Sequence, residues 1–210
     1  WFFAYPFSVV IMNVKLEICN AFNTHAHQYE QAAVVQQEIG QRLFERLDYF
    51  KKQPMSILDL GCGPGAFSKQ LKKRYPQAIV VGFDLAIDML KQAQSKQSWL
   101  KKWPLVAGDM AQLPFATAAF DLIFANQVLH WSLSLPDVLK ELHRIMAPEA
   151  CLLFSTLGPD TFQEIRKAWS RVDHYAHTND FIDMHDMGDH LMAQHFLDPV
   201  VDMERLTVQD

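Results

Sequence analysis

Polar and apolar positions follow two different rhythms along this chain. Between Asn20 and Leu47 the apolar residues Ala32, Val35, Ile39, Leu43 and Leu47 recur at helical steps, with Gln36, Gln37, Glu38, Gln41 and Arg42 between them. That spacing predicts one amphipathic helix with a face against a core. Beyond it, short apolar runs alternate with helical stretches. Strands are predicted over 56–60, 78–83, 104–107, 120–125 and 151–155, and helices over 67–75, 87–96, 135–146 and 162–172. Residues 198–209 alternate apolar and polar side chains and read as a sixth strand. Strands that alternate with helices of this length predict an α/β fold, a parallel sheet with crossover helices on both faces. No repeat or linker divides it.

Composition fits one folded domain. Half of the 210 residues are hydrophobic and 20% are charged, enough apolar surface for a full core. The formal charge of −5 argues against a nucleic-acid partner, and the cluster of Lys69, Lys72, Lys73 and Arg74 reads as a solvated helix face. Three cysteines far apart in sequence, Cys19, Cys62 and Cys151, point to a reducing compartment, read as the cytoplasm, and away from a disulfide framework. His25 and His27 have no third ligand nearby, so no metal is expected. The stretch from Trp1 to Ile11 is apolar, yet it lacks a basic flank and is shorter than the roughly 20 residues that span a bilayer. No membrane association is expected. Residues 1–11 are read as a non-native or mis-annotated leader before Met12, 12–54 as a helical cap and 55–210 as the main domain.

The first predicted strand, Ser56 to Leu60, runs into Gly61-Cys62-Gly63-Pro64-Gly65-Ala66, where three glycines stand at alternate positions before a helix. Glycines in such a turn let backbone approach a ligand lying across the helix start. The spacing also fits a dinucleotide fingerprint, because Asp84 follows Gly61 at close to the expected interval of about 20 residues. Charge separates the two ligand classes. Asp59 places a carboxylate where a pyrophosphate would sit, and Pro64 removes an N–H that an anion would use. A ligand with an ammonium and a sulfonium, such as S-adenosylmethionine, suits this loop better. Asp84, Asp109 and Asn126 each close a predicted strand, and in an open α/β sheet the ligand lies along that edge. A carboxylate at Asp84 can accept from ribose hydroxyls, and one at Asp109 from an adenine amino group. Tyr29 and Gln36, two helical turns apart, can face the same ligand.

Leu58-Asp59-Leu60-Gly61-Cys62-Gly63-Pro64-Gly65, Phe83-Asp84-Leu85, Gly108 to Phe115 and Ala119 to Ile123 resemble the class I S-adenosylmethionine-dependent methyltransferases. Tyr29 to Ala32 with Gln36, Asn126-Gln127-Val128-Leu129-His130-Trp131, Phe154 to Thr161, Phe181 to Asp189 and Met203 to Thr207 resemble, more narrowly, the biotin-pathway malonyl-acyl-carrier-protein O-methyltransferases. The resemblance implies a Rossmann-like sheet and transfer of a methyl group from S-adenosylmethionine to the free carboxylate of a malonyl thioester on acyl carrier protein, by a monomer. It implies that Tyr29 and Gln36 close over the methionine end of the cofactor, that Asp59, Gly61, Cys62, Gly63 and Gly65 hold its amino-acid part, that Asp84 and Leu85 hold the ribose, and that Asp109 and Met110 hold the adenine, with Asn126 beside them. Because a carboxylate acceptor is already ionised near neutral pH, no acid–base dyad is expected.

A carboxylate acceptor needs donors, and Trp131, Arg166, His185 and Arg205 are the candidates within the family-like segments. Two departures stand out. Pro148-Glu149-Ala150 replaces the Pro-Gly-Gly turn usual in the family. Related domains also continue past Met203-Glu204-Arg205 with a helix and an antiparallel strand; with the chain ending at Asp210, that C-terminal strand is expected to be missing, leaving an exposed sheet edge and a poorly soluble or inactive product. Three alternatives accompany the carboxyl methyltransferase: an inactive cofactor-binding remnant, a methyltransferase-like assembly factor, and a small-molecule methyltransferase.

Overall fold

The computed structural model describes residues 7–99, 102–173, 178 and 181–206. Among them, β1 (Ser56–Leu60), β2 (Ile79–Asp84), β3 (Leu105–Ala107), β4 (Phe120–Asn126) and β5 (Met146–Ser155) form one parallel sheet in the order β3-β2-β1-β4-β5. The order reverses at β1, so the crevice between the carboxyl ends of β1 and β4 is the topological switch point. β1 is the centre of the sheet. Ile57, Leu58 and Leu60 are fully buried, as a strand covered on both faces requires.

Helices α4 (Ala66–Arg74), α5 (Ile87–Ser95) and α6 (Leu135–Ile145) connect the strands. Leu71 of α4 joins Ile57, Val80 and Phe124 in one core layer, and Val138, Leu139, Leu142 and Ile145 of α6 join Leu58, Leu60 and Ile123 in the other. The two layers come from opposite faces of the same strands, which is the period of two expressed as a three-layer sandwich. α7 (Gln163–Trp169) and α8 (Met184–Ala193) follow β5, with Met187 and Leu191 of α8 packed beside α6.

The long N-terminal helix is in fact three. α1 (Phe7–His25) ends in a turn, α2 (Tyr29–Ala32) is a single turn, and Ala33 breaks it from α3 (Val34–Glu45). The breaks sit where Ala26 and Ala33 are buried, so the chain bends to bring both small side chains inward. α1 starts inside the stretch read as a leader.

The sixth strand is absent from the described residues: 198–206 form no ladder. Its alternating acids instead reach α3 and the 3₁₀ turn after it, where Arg42 binds Glu204 at 2.8 Å and Arg46 binds Asp202 at 2.6 Å and Glu204 at 2.8 Å. Residues 207–209 lie outside the described residues. β5 begins earlier than its apolar run, at Met146 opposite Phe120, and after an irregularity resumes with Cys151 opposite Leu122. Glu149, at the family's glycine position, sits in that irregularity at φ 61°.

Candidate cofactor and acceptor site

Two hollows meet at the switch point. A cavity of about 450 Å³ opens along the carboxyl ends of β1, β2 and β4, and a recess of about 60 Å³ lies behind it under α2 and α3. Tyr29, Gly61, Gly63 and Asn126 line both, so the two are neighbouring parts of one site.

The glycine loop shapes the junction. Gly61 has φ +67°, and a Cβ there would lie 2.5 Å from Val128 Cγ2, so neither the backbone angle nor the space admits a side chain. A Cβ on Gly63 would meet nothing within 4 Å, which leaves its main chain open toward the hollows. Gly65 lines neither hollow; a Cβ on it would press on Ala93 and Trp103, so it serves the packing of the α4 start.

Asp84 is fixed by two backbone donors, Gly63 N–H and Ala86 N–H, each at 2.8 Å. Burial raises its pKa while those hydrogen bonds pull the other way, and its remaining lone pairs serve the cavity it lines. Leu85, Met110 and Asp109 line the same cavity, with Ala111 N–H donating to Asp109 Oδ1 at 2.9 Å. Asp59 and Cys62 line the recess with Gln36. Asp59 is only 2% exposed and accepts the hydroxyl hydrogen bond of Ser68 on α4. Burial pushes its pKa up to about 7, the Ser68 hydrogen bond opposes this, and the charge of Asp84 adds to it. Burial also raises Tyr29, with Asp84 second. These acids, with open backbone between them, suit a ligand bearing hydroxyls, an amino group and positive charge.

Trp131 lines the cavity, in edge contact with Phe22 at 5.2 Å between ring centroids. The other three acceptor candidates line neither hollow. Arg166 donates to the carbonyls of Thr161, at 2.6 Å, and Pro159, which ties the β5–α7 loop to its own helix. His185 pairs with Asp183, the N-cap of α8, at 2.9 Å, and Arg205 is exposed in the tail. Their positions follow from local capping and solvation.

Sequence patterns missed the cavity's roof. Lys15, Ile18, Cys19 and Phe22 of α1 all line it. The signal was present, since 15, 18, 19 and 22 share one helical face. Lys15 forms an ion pair with Asp109, Cys19 Sγ lies 3.6 Å from Leu85 O, and Asn23 Oδ1 accepts from Asp88 N–H at 2.9 Å, which docks α1 on the start of α5. Gln127, directly after β4, lines the cavity and was likewise not singled out.

The family profile described as a methyltransferase domain matches residues 58–154. A malonyl-acyl-carrier-protein O-methyltransferase of Legionella pneumophila is 60% identical over 197 residues, covering 94% of this chain and 69% of the relative. The chain belongs to the malonyl-acyl-carrier-protein O-methyltransferase family. A second member, from Coxiella burnetii, is 41% identical over 188 residues, which cover 90% of this chain and 63% of that relative. Among solved structures, a possible histamine N-methyltransferase of Thermotoga maritima superposes with a TM-score of 0.61 at 16% identity, over 82% of this chain and 78% of that one. A Haemonchus contortus phosphoethanolamine methyltransferase, solved with S-adenosylhomocysteine, gives 0.60 at 18% identity over 75% and 37%. These two share the fold of this family member. None of its described helices is long and apolar enough to cross a membrane.

Proposed function

We propose that the chain transfers the methyl group of S-adenosylmethionine to the free carboxylate of a malonyl thioester on acyl carrier protein. The observation that carries this reading is the 60% identity, over 94% of the chain, to a relative named for that reaction. The donor set agrees with the cofactor: carboxylates at Asp84, Asp109 and Asp59 match hydroxyl, amino and ammonium groups and would repel a pyrophosphate. The unpaired thiols of Cys19, Cys62 and Cys151 fit a reducing compartment such as the cytoplasm.

When bound, S-adenosylmethionine supplies a methyl group on a sulfonium that accepts the C–S bonding pair as it leaves. The chain's own part is placement. Asp84 would take the ribose hydroxyls with the lone pairs that Gly63 and Ala86 leave free, and Asp109 would take the adenine amino group. Asp59, Gly63, Tyr29 and Gln36, which line the recess, would surround the amino-acid end. The acceptor carboxylate arrives ionised, so no residue has to remove a proton, and its oxygen forms the new O–C bond. Ile18, Phe22, Leu133 and Val128 give the cavity apolar walls that exclude water and hold the acceptor in line.

The test is direct. The purified chain is mixed with labelled cofactor and malonyl-carrier protein, and the methyl ester is followed by mass spectrometry. Growth of a biotin-requiring strain that lacks its carboxyl methyltransferase gives the same answer in cells. Cofactor binding with no methyl ester in either assay would overturn the reading and favour the remnant.

A further inference from the structure

The acceptor is an anion, yet among the described residues the cavity offers it no free cation. Lys15 is the one cationic side chain among the residues lining either hollow, and it is held by Asp109. Arg166, His185 and Arg205 lie elsewhere. Among the described residues, the donors left to orient the carboxylate are neutral, and one of them is built with unusual care.

Gln127 follows β4 with φ 54°, in the left-handed region that a glutamine side chain disfavours. The described chain has other non-glycine residues at positive φ, namely Ala118, Glu149, Phe162, His195 and Asp198, but Gln127 alone among them lines the cavity. Strain kept at a cavity wall is strain that the surroundings enforce. Here Ser155 enforces it. Its Oγ accepts from Gln127 N–H at 3.1 Å and from Gln127 Nε2 at 3.4 Å, and donates to Asn126 Oδ1 at 2.8 Å. One donor and two acceptors exhaust the hydroxyl. Asn126 in turn donates to the Gln36 carbonyl at 3.0 Å, tying the network to α3. The Gln127 amide keeps a second N–H with no partner among the described residues, on a residue that lines the cavity beside Val128 and Trp131.

We infer that Gln127 is the acceptor-orienting residue, its carboxamide N–H holding the malonyl carboxylate while Ser155 acts as the positioning residue behind it. This rests on the carboxyl-methyltransferase reading. The chemistry favours an amide here over a guanidinium. The carboxylate loses its charge as the O–C bond forms, so a cation would hold the starting anion more tightly than the transition state and slow the transfer. A neutral donor fixes direction with less of that penalty.

Three variants test it, each titrated with S-adenosylmethionine and assayed on malonyl-carrier protein. Gln127→Gly removes the amide and suits the left-handed backbone, so the fold is kept. It should lower kcat/KM by about tenfold or more, mainly through KM, while the cofactor Kd stays within about twofold. Gln127→Glu sets a carboxylate against the acceptor and should fall by about a further tenfold. Ser155→Ala should lower turnover, and Ser155→Thr, which restores the hydroxyl, should recover it. Wild-type kcat/KM in Gln127→Gly would overturn the assignment alone. A wild-type chain that binds cofactor but leaves the malonyl thioester unmethylated would overturn the functional reading and this assignment together.

Discussion

Replacing Asp59 by asparagine isolates a conflict between stability and ligand binding. In the folded protein the Asp59 pKa is moved from 3.8 to about 7, chiefly by burial. The unfolded chain releases this proton near 4 and the native protein near 7, so between those values the native state holds the extra proton. Stability from this group is therefore complete below about pH 4 and declines as pH rises toward 7, levelling off above it. A gap of roughly three pH units at about 1.4 kcal/mol each places up to about 4 kcal/mol at stake, an upper figure because a buried ionised carboxylate draws in compensating structure. The asparagine side chain would still accept the Ser68 hydroxyl hydrogen bond without carrying charge. Urea denaturation from pH 5 to 8 should show Asp59→Asn gaining on the wild type by about 2–3 kcal/mol up to about pH 7 and holding that gain above it, while cofactor affinity falls because the ammonium has lost its anion. A stability difference between the two proteins that does not change with pH would refute the reasoning.

The other predictions are simpler to read. Asp84→Ala should weaken S-adenosylmethionine binding by about 1.5–3 kcal/mol, the range for hydrogen bonds to a charged group; unchanged affinity in calorimetry would remove Asp84 from the site. Gly61→Ala should lower both stability and cofactor affinity, since its Cβ would stand 2.5 Å from Val128 at a positive φ; a thermal melt equal to wild type would contradict the loop geometry. Glu149→Gly should raise the denaturation midpoint by relieving the left-handed strain at φ 61°, an effect that outweighs loss of the exposed ion pair with Lys52, with a lower midpoint as the refuting outcome.

The parts of this protein that sequence made legible are those whose determinants are local. A strand, an acidic end, a glycine turn and a helix start are contiguous in Ser56 to Ala66, so Asp59, Gly61 and Gly63 could be placed before any fold was known, and Asp84, Asp109 and Asn126 followed from strand ends. Arg166, His185 and Arg205 line neither hollow, which sequence could not tell, because a charged side chain reads the same whether it faces a cavity, a loop carbonyl or a helix cap. The sixth strand failed for a related reason: alternation fixes which face a residue belongs to, but a ladder also needs a neighbour, and Asp202 and Glu204 found arginines on α3 and the turn after it. The α1 roof depended on where a helix docks, which Asn23, Ala26 and Phe22 decide through contacts far along the chain.

That roof has a thermodynamic corollary. A ligand filling the cavity touches α1 on one side and strand ends on the other, so its binding energy also opposes separation of the two. Docking of the first helix and occupancy of the cavity are then linked functions, each raising the other by the same factor. Cleavage at the bend 26–28 by a protease should accordingly slow as cofactor concentration rises, giving the lid an opening constant that can be read without any methyl transfer at all.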